Sequence, residues 1–142
     1  MNTTSDINPQ PITRELVPED QRLDITEQLF GMHFPLQLEP FIYAVTNKIA
    51  SEYHGGLWNF YTLSNGGFYM APDLDQSFEV SCENFFQGEL SSDALGIVSC
   101  LYAYSHLSYG GGIAREYARH YYLLREYMLD HPEVVAILGA TD

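Results

Sequence analysis

Apolar and polar positions change their spacing several times along this chain, and each spacing predicts a different element. A first helix is predicted over residues 18–30. Apolar residues recur at helical intervals over residues 39–53, which favours a second, amphipathic helix. Pro18 and Pro40 suit the first turns of these helices, and Gly31 is a stop signal after the first. On the second helix, the predicted inner stripe contains Phe41, Val45, Ile49 and Tyr53.

An aromatic hairpin is predicted over residues 57–71, around the dipeptide Asn65-Gly66. This dipeptide accommodates the positive φ angles of a two-residue type I′ turn. Such a turn would place Leu63 opposite Phe68, and Tyr61 opposite Met70. Opposed residues share a face of the ribbon. One face would then contain Leu57, Tyr61, Leu63, Phe68 and Met70, and the other Trp58, Phe60 and Tyr69.

Two further strands are predicted after the hairpin. Strict alternation from Ser77 to Glu83 is typical of an antiparallel strand with one exposed face. Its inward residues would be Phe78, Val80 and Cys82. Residues 85–90 are consistent with a short fourth strand, in which Gly88 would form a bulge.

Helices follow to the end of the chain. Ser91 or Ser92 suits the N-cap of a helix that is apolar nearly all round over residues 94–104. The glycine triplet at 110–112 ends it, and a long amphipathic helix comes next. The inner stripe of that helix would contain Ile113, Tyr117, Tyr121, Leu124 and Met128. Residues 132–138 predict one last short turn or helix.

This order of elements predicts the α+β fold class. Residues 18–142 would form a single domain, in which a small antiparallel sheet of three strands, or four, packs with about four helices. Residues 1–17 are polar and contain Pro9 and Pro11, so we expect a flexible N-terminal lead-in there. A chain of 142 residues with 46% hydrophobic residues can bury a core without a disulfide or metal.

The charge balance limits the partners. Nineteen acidic residues face six basic ones, and no Lys or Arg lies between Ile49 and Ala114. Because nucleic acid binding depends on clustered Lys and Arg, direct DNA or RNA binding is not expected. The chain begins without a signal-peptide pattern, and we expect Cys82 and Cys100 to be reduced. These features predict a cytoplasmic monomer with no membrane association.

Candidate chemistry is sparse. Asp73-x-Asp75-x-Ser77-x-Glu79 opens like a calcium loop, but Phe78 occupies the sixth position, where that loop needs glycine. The histidines lack zinc-type spacing, and there is no Gly-x-Ser-x-Gly nucleophile motif or phosphate-binding loop. We therefore expect no catalytic residues, no metal and no cofactor, although a Ser–His–acid triad assembled from distant residues stays open.

The hairpin region also carries a resemblance. Residues 55–58 and 63–72, with sequences Gly-Gly-Leu-Trp and Leu-Ser-Asn-Gly-Gly-Phe-Tyr-Met-Ala-Pro, resemble the signature of the KlcA/ArdB antirestriction family. The similarity continues at residues 88–94 and 96–98, and returns loosely at residues 122–126. The resemblance implies one domain with a three-stranded antiparallel sheet packed by helices. It also implies relief of type I restriction of incoming DNA, without indicating a chemical mechanism.

The resemblance and the acidic composition together favour a non-enzymatic antirestriction protein that acts through protein interaction. Its partner would be the host type I restriction complex or an accessory factor. The candidate contact residues are Glu79, Glu83, Glu89, Asp93 and Asp142. One alternative is an acidic mimic that competes with duplex DNA. A duplex as long as this domain carries roughly 22 phosphate charges, whereas the nineteen acids of this chain are spread over its whole surface and diluted by six bases. A second alternative is a small enzyme that modifies a host component, and the acids could also serve solubility alone.

Overall fold

The computed structural model of the chain describes residues 10–142. Most of the predicted lead-in, residues 1–9, lies outside the described residues. Within the remainder, Arg14–Leu16 forms a strand, β1. All three of its side chains are exposed, so no apolar alternation marks it in the sequence. The boundary that we predicted at residue 18 therefore leaves out one strand of the sheet.

Two antiparallel sheets and five α-helices make up the described part of the chain. The first sheet has the order β1-β2-β3, with β2 at Trp58–Leu63 and β3 at Phe68–Pro72. The second sheet pairs β4, Ser77–Ser81, with β5, Gln87–Ser91. The helices are α1 (Arg22–Phe30), α2 (Glu39–Ile49), α3 (Ser92–Leu107), α4 (Ala114–Met128) and α5 (Val134–Thr141). A 3₁₀ turn at Glu19–Gln21 precedes α1, and a π-helical turn at Phe34–Leu38 precedes α2. The α+β prediction is confirmed, but the strands form two sheets rather than one.

The β2–β3 hairpin forms with a register one residue away from the predicted one. Leu63 N–H donates to the Gly67 carbonyl at 2.8 Å, and Gly66 N–H donates to the Leu63 carbonyl at 2.9 Å. The turn is therefore a three-residue loop over residues 64–66, in which Gly66 has a φ of 96°. Asn65 adopts no positive φ. Its side chain instead accepts from Gly67 N–H and donates to the Leu123 carbonyl of α4.

This one-residue shift moves side chains to the other face, because side chains alternate along a strand. Phe60 lies opposite Met70, and Tyr61 lies opposite Tyr69. The predicted grouping of Tyr61 with Phe68 and Met70 is wrong. Trp58, Phe60, Phe68 and Met70 share one face, and Tyr61, Leu63 and Tyr69 share the other. Every residue of β3 is buried, so both faces of this strand contact the core.

Helix α3 is the centre of the domain, as its apolar sequence predicted. Eleven of its residues are buried. Of the two predicted cap candidates, Ser91 and Ser92, Ser91 is the cap, because its hydroxyl accepts from Ala94 N–H at 3.1 Å. A Cβ atom on Gly96 would lie 2.4 Å from the Met70 carbonyl oxygen. Glycine is therefore required where α3 crosses β3. The Tyr104 hydroxyl also donates to the Phe68 carbonyl at 2.7 Å.

The buried stripes of α2 and α4 differ from the predicted ones. Helix α2 ends at Ile49, not near Tyr53, because Ala50 adopts an extended conformation. It buries Ile42, Thr46 and Ile49, of which only Ile49 belongs to the predicted stripe. Thr46 can be buried because its hydroxyl bonds to the Ser99 hydroxyl of α3 at 2.7 Å. The predicted stripe residues Phe41 and Val45 are only half-buried. In α4 the buried residues are Tyr117, His120, Leu124 and Met128. His120 was not predicted to be buried, because the hydrophobic pattern counts histidine as polar.

The β4–β5 hairpin confirms the alternation over residues 77–83 and corrects one detail. Val80 lies opposite Gly88 in uninterrupted pairing, so the predicted bulge at Gly88 is absent. The extra residue lies in the turn instead, where Phe85 has a φ of 71°. No helix among residues 10–142 is both long enough and apolar enough to cross a membrane.

Candidate functional site

The five predicted contact acids lie in different surroundings. Glu79 and Glu89 are exposed and directly opposed on the outer face of the β4–β5 hairpin. Like charges at opposed positions destabilise a strand pair. Neither carboxylate forms an ion pair within residues 10–142. These two acids are therefore free to receive a cation from outside the molecule.

Glu83 and Asp142 already have cationic neighbours. Glu83 forms an exposed ion pair with Lys48, and the hydrogen bond and charge of Lys48 lower the pKa of this carboxyl. Asp142 lies 3.5 Å from the Arg125 guanidinium, between the C-terminal end of α5 and helix α4. Exposed pairs of this kind are weak and exchange readily. A partner could therefore replace either cation at small cost.

Asp93 differs from the other four because it is at the centre of a hydrogen-bond network. Its Oδ1 accepts from the Arg14 guanidinium at 2.7 Å and from the Tyr69 hydroxyl at 2.8 Å. Its Oδ2 lies 2.8 Å from Nε2 of His131. Burial raises the pKa of Asp93, but the hydrogen bonds from His131 and Tyr69 and the charge of Arg14 outweigh it, so this pKa lies below its ordinary value. The network joins β1, β3, the first turn of α3 and the turn before α5.

The Asp93–His131 pair is not arranged as a catalytic dyad. The Glu133 backbone N–H donates to Nδ1 of His131 at 3.0 Å. Nδ1 is thus an acceptor, and Nε2 carries the proton that is donated to Asp93. Neither ring nitrogen is left to accept a proton from a nucleophile. The nearby Ser91 hydroxyl bonds to Glu133 and caps α3, so the cluster positions backbone segments.

Both thiols and one of the histidines, His120, are buried. Cys82 and Cys100 are unpaired thiols in the core, and burial raises the pKa of Cys100 to about 12. His120 is fully buried between Phe30 and Tyr104, and burial lowers its pKa to about 4. Within residues 10–142, no group of three His, Cys, Asp or Glu side chains is arranged to hold a metal ion.

Sequence reasoning selected Asp93 but missed its partners Arg14, Tyr69 and His131. These residues lie 79, 24 and 38 positions away from Asp93, and no local pattern relates them. Arg14 also stacks on Tyr61, with its guanidinium carbon 4.3 Å from the ring centroid. The signal that could have identified it is weak: a basic residue in a chain with only six.

Comparisons with known proteins define the family. A sequence profile of the family described as "Antirestriction protein" matches residues 51–142. An antirestriction protein KlcA of Escherichia coli is 42% identical over 137 residues, which cover 94% of this chain and 96% of the relative. The chain belongs to the antirestriction protein family.

Two further relatives show similar identity. YafX of Escherichia coli strain K12, an uncharacterized protein, is 44% identical over 131 residues, covering 89% of this chain and 85% of YafX. The putative antirestriction protein YubI of the same strain is 37% identical over 140 residues, covering 94% and 97% of the two chains. The family resemblance of the hairpin region is thereby confirmed.

The antirestriction fold is also confirmed by a solved structure. It is a structure of the KlcA and ArdB proteins. Those proteins are described as having a novel fold and antirestriction activity against type I DNA restriction systems in vivo but not in vitro. It covers 100% of both chains with a TM-score of 0.86 and 40% sequence identity.

Proposed function

We propose that this protein relieves cleavage of incoming unmodified DNA by host type I restriction–modification systems, and that it does so by binding proteins, without catalysis. The observation that carries the proposal is the full-length similarity to the KlcA and ArdB structure, with activity described in vivo but not in vitro. Activity that needs the cell fits a protein whose effect depends on a cellular partner missing from a purified reaction.

The charge distribution supports a protein partner over nucleic acid. The chain has a net charge of −13, and four of its six bases already pair with carboxylates of the same chain. An acidic surface repels phosphates and attracts basic protein surfaces. The partner is the type I restriction complex or a factor on which that complex depends, and activity in vivo but not in vitro favours the factor.

The two alternatives fit less well. A duplex mimic would compete with DNA in a purified reaction, and the described acids are not in continuous rows: Glu83, Asp93 and Asp142 are neutralised by neighbouring bases. An enzyme would need an accessible nucleophile or base. The described thiols are buried, and both nitrogens of His131 are engaged.

Among the predicted contact residues, we propose Glu79 and Glu89 as the principal ones. They are exposed, lie side by side and have no cation of their own within residues 10–142. Glu83 and Asp142 would contribute after exchanging Lys48 or Arg125 for a partner's base. Asp93 would contribute indirectly, by holding the folded arrangement.

The test is the plating efficiency of unmodified phage on a type I restricting strain that expresses this protein. We expect the efficiency to rise towards that on a non-restricting strain. We expect Glu79→Gln/Glu89→Gln to reduce the relief, and Asp73→Asn/Asp75→Asn, which removes two other exposed acids, to preserve it. Undiminished restriction with folded wild-type protein present would refute the proposed function.

A further inference from the structure

The two hairpins of this domain contain the same three-residue loop. In the β2–β3 loop, Leu63 N–H bonds to the Gly67 carbonyl and Gly66 N–H bonds back to the Leu63 carbonyl. In the β4–β5 loop, Cys82 N–H bonds to the Phe86 carbonyl at 2.9 Å, and Phe85 N–H bonds back to the Cys82 carbonyl at 3.0 Å. Phe85 therefore stands where the first loop has Gly66.

The asparagine in the middle of each loop makes matching contacts. Asn65 accepts from the backbone N–H two residues later and donates to the Leu123 carbonyl at 2.9 Å. Asn84 likewise accepts from Phe86 N–H at 3.0 Å and donates to the Gly139 carbonyl of α5 at 3.0 Å. Both loops are thus held against a helix, and the β4–β5 turn is a rigid feature of the surface.

The loops differ at the position that requires a positive φ. Gly66 adopts a φ of 96° without steric conflict, because it has no Cβ. Phe85 adopts a φ of 71° and is the one non-glycine residue with a positive φ within residues 10–142. A bulky side chain in this region strains the backbone, and such strain is concentrated at functional sites.

The Phe85 side chain makes almost no packing contacts that would offset this strain. It is 93% exposed, whereas the adjacent Phe86 packs against the core. A loop of this type favours Gly or Asn at residue 85, and the first hairpin has Gly66 at the equivalent position. A strained, exposed aromatic ring on a rigid turn instead has the properties of a binding anchor, because it pays little ordering entropy on association.

The charge near Phe85 indicates the chemistry of the partner. Glu83 is in the same loop, and the opposed pair Glu79 and Glu89 lies on the exposed face of the same hairpin, about 10 Å along the strand from Cys82. Six carboxylates and no Lys or Arg occur over residues 73–93. Lys48 and Arg14, from outside this segment, pair with two of these carboxylates, and the other four form no ion pair within residues 10–142. A second copy of this acidic chain would be repelled, and duplex phosphates would be repelled as well.

We propose that Phe85 is the apolar anchor of the protein-binding surface, and that it inserts into an apolar pocket bordered by Lys or Arg residues on a partner protein. This inference rests on the proposed function and assigns its contact surface to the tip of the β4–β5 hairpin. Glu79 and Glu89 steer and orient the basic rim of the pocket, while the aromatic ring supplies most of the affinity.

A single substitution separates this role from a structural one. Phe85→Gly removes both the backbone strain and the ring, so we expect Tm to rise by roughly 3 to 6 °C. The same variant should lose restriction relief by roughly tenfold or more in plating efficiency. A residue needed only for folding would show the opposite relation, with stability and relief falling together.

Two further variants serve as controls. Phe85→Tyr keeps an aromatic ring at the same position, and relief should be retained. Tyr109→Ser removes another highly exposed aromatic side chain, 88% exposed, from a segment outside the hairpin, and relief should again be retained. Both proteins should be folded and expressed at wild-type levels.

The outcomes distinguish the two proposals. If wild-type protein fails to relieve restriction, the proposed function fails, and this inference fails with it. If wild-type protein protects and Phe85→Gly protects equally well, only the anchor is overturned. A Tm for Phe85→Gly at or below the wild-type value would also overturn it, because the strain argument would then be wrong.

Discussion

Asp93 receives hydrogen bonds from Arg14 and Tyr69 and pairs with His131. Its three neighbours come from three separate parts of the chain, so the carboxylate closes contacts that no single element makes. Hydrogen bonds to a charged acceptor are stronger than those between neutral groups. At the residue scale, this acid therefore contributes to the fold, whereas Glu79 and Glu89 on the hairpin surface do not.

We predict that Asp93→Asn lowers the free energy of unfolding by about 2 kcal/mol at neutral pH, because charged acceptors in such networks contribute that much. Urea denaturation followed by the fluorescence of Trp58, the single tryptophan, would measure it. Asp75→Asn, at an exposed loop position, should change stability little and is the matched control.

The stability difference between the wild type and Asp93→Asn should depend on pH. The pKa of Asp93 is lowered in the folded state, so its stabilisation is fully present above the pKa of the unfolded carboxyl, about 3.9. That stabilisation is lost as the pH falls through the lower folded pKa. The wild-type advantage over Asp93→Asn should therefore shrink in this acidic range. A constant difference down to the lowest accessible pH would contradict the assignment.

At the element scale, the close approach of α3 to β3 organises the core. Gly96 permits this approach, and Tyr104 adds a hydrogen bond to the Phe68 carbonyl at the other end of the contact. The same helix bonds to α2 through Thr46 and Ser99. Because β3 is buried on both faces, any displacement of α3 would disturb the layers on either side.

We predict that Gly96→Ala lowers the free energy of unfolding by about 3 kcal/mol, since the new methyl would meet backbone atoms of Met70 and Ala71 that cannot rotate away. Gly111→Ala is the control, because nothing lies within 4 Å of a Cβ there and its φ is not positive. Equal stability of the two variants in urea would show that the helix and strand separate easily.

At the scale of the whole molecule, the net charge of −13 dominates. Four of the six bases are paired internally, and the remaining carboxylates repel one another. Self-repulsion disfavours the compact state. Burial of the core offsets this repulsion, so the fold tolerates the acidic surface that we propose for a basic partner.

We predict that raising KCl from about 10 mM to about 150 mM raises Tm, because the Debye length falls from about 30 Å to about 8 Å. Screening about 1 kcal/mol of repulsion would correspond to roughly 3 to 5 °C. The increase should be smaller in Asp73→Asn/Asp75→Asn, which carries less charge. A Tm that falls with salt would mean that attractive ion pairs outweigh the repulsion.

Local patterns determined much of this architecture. Alternation over residues 77–83 predicted β4, because neighbouring positions on a half-exposed strand face different environments. The apolar run at residues 94–104 predicted the central helix, and the local sequence narrowed its cap to Ser91 or Ser92. Residues 63–72 carried the family resemblance, and with it the antirestriction assignment. All of these depend on residues within a few positions of one another.

Tertiary contacts decided the rest. Asn65 bonds to Leu123 of α4, and the resulting turn shifts the β2–β3 register away from the one that Asn-Gly alone favours. β1 exists because its backbone pairs with β2, although none of its side chains is buried. The strain at Phe85 arises from the three-residue turn between β4 and β5, which sets its φ to 71°. Sequence periodicity reports which face of an element is buried, whereas register and distant pairing depend on groups that meet only after the chain has folded.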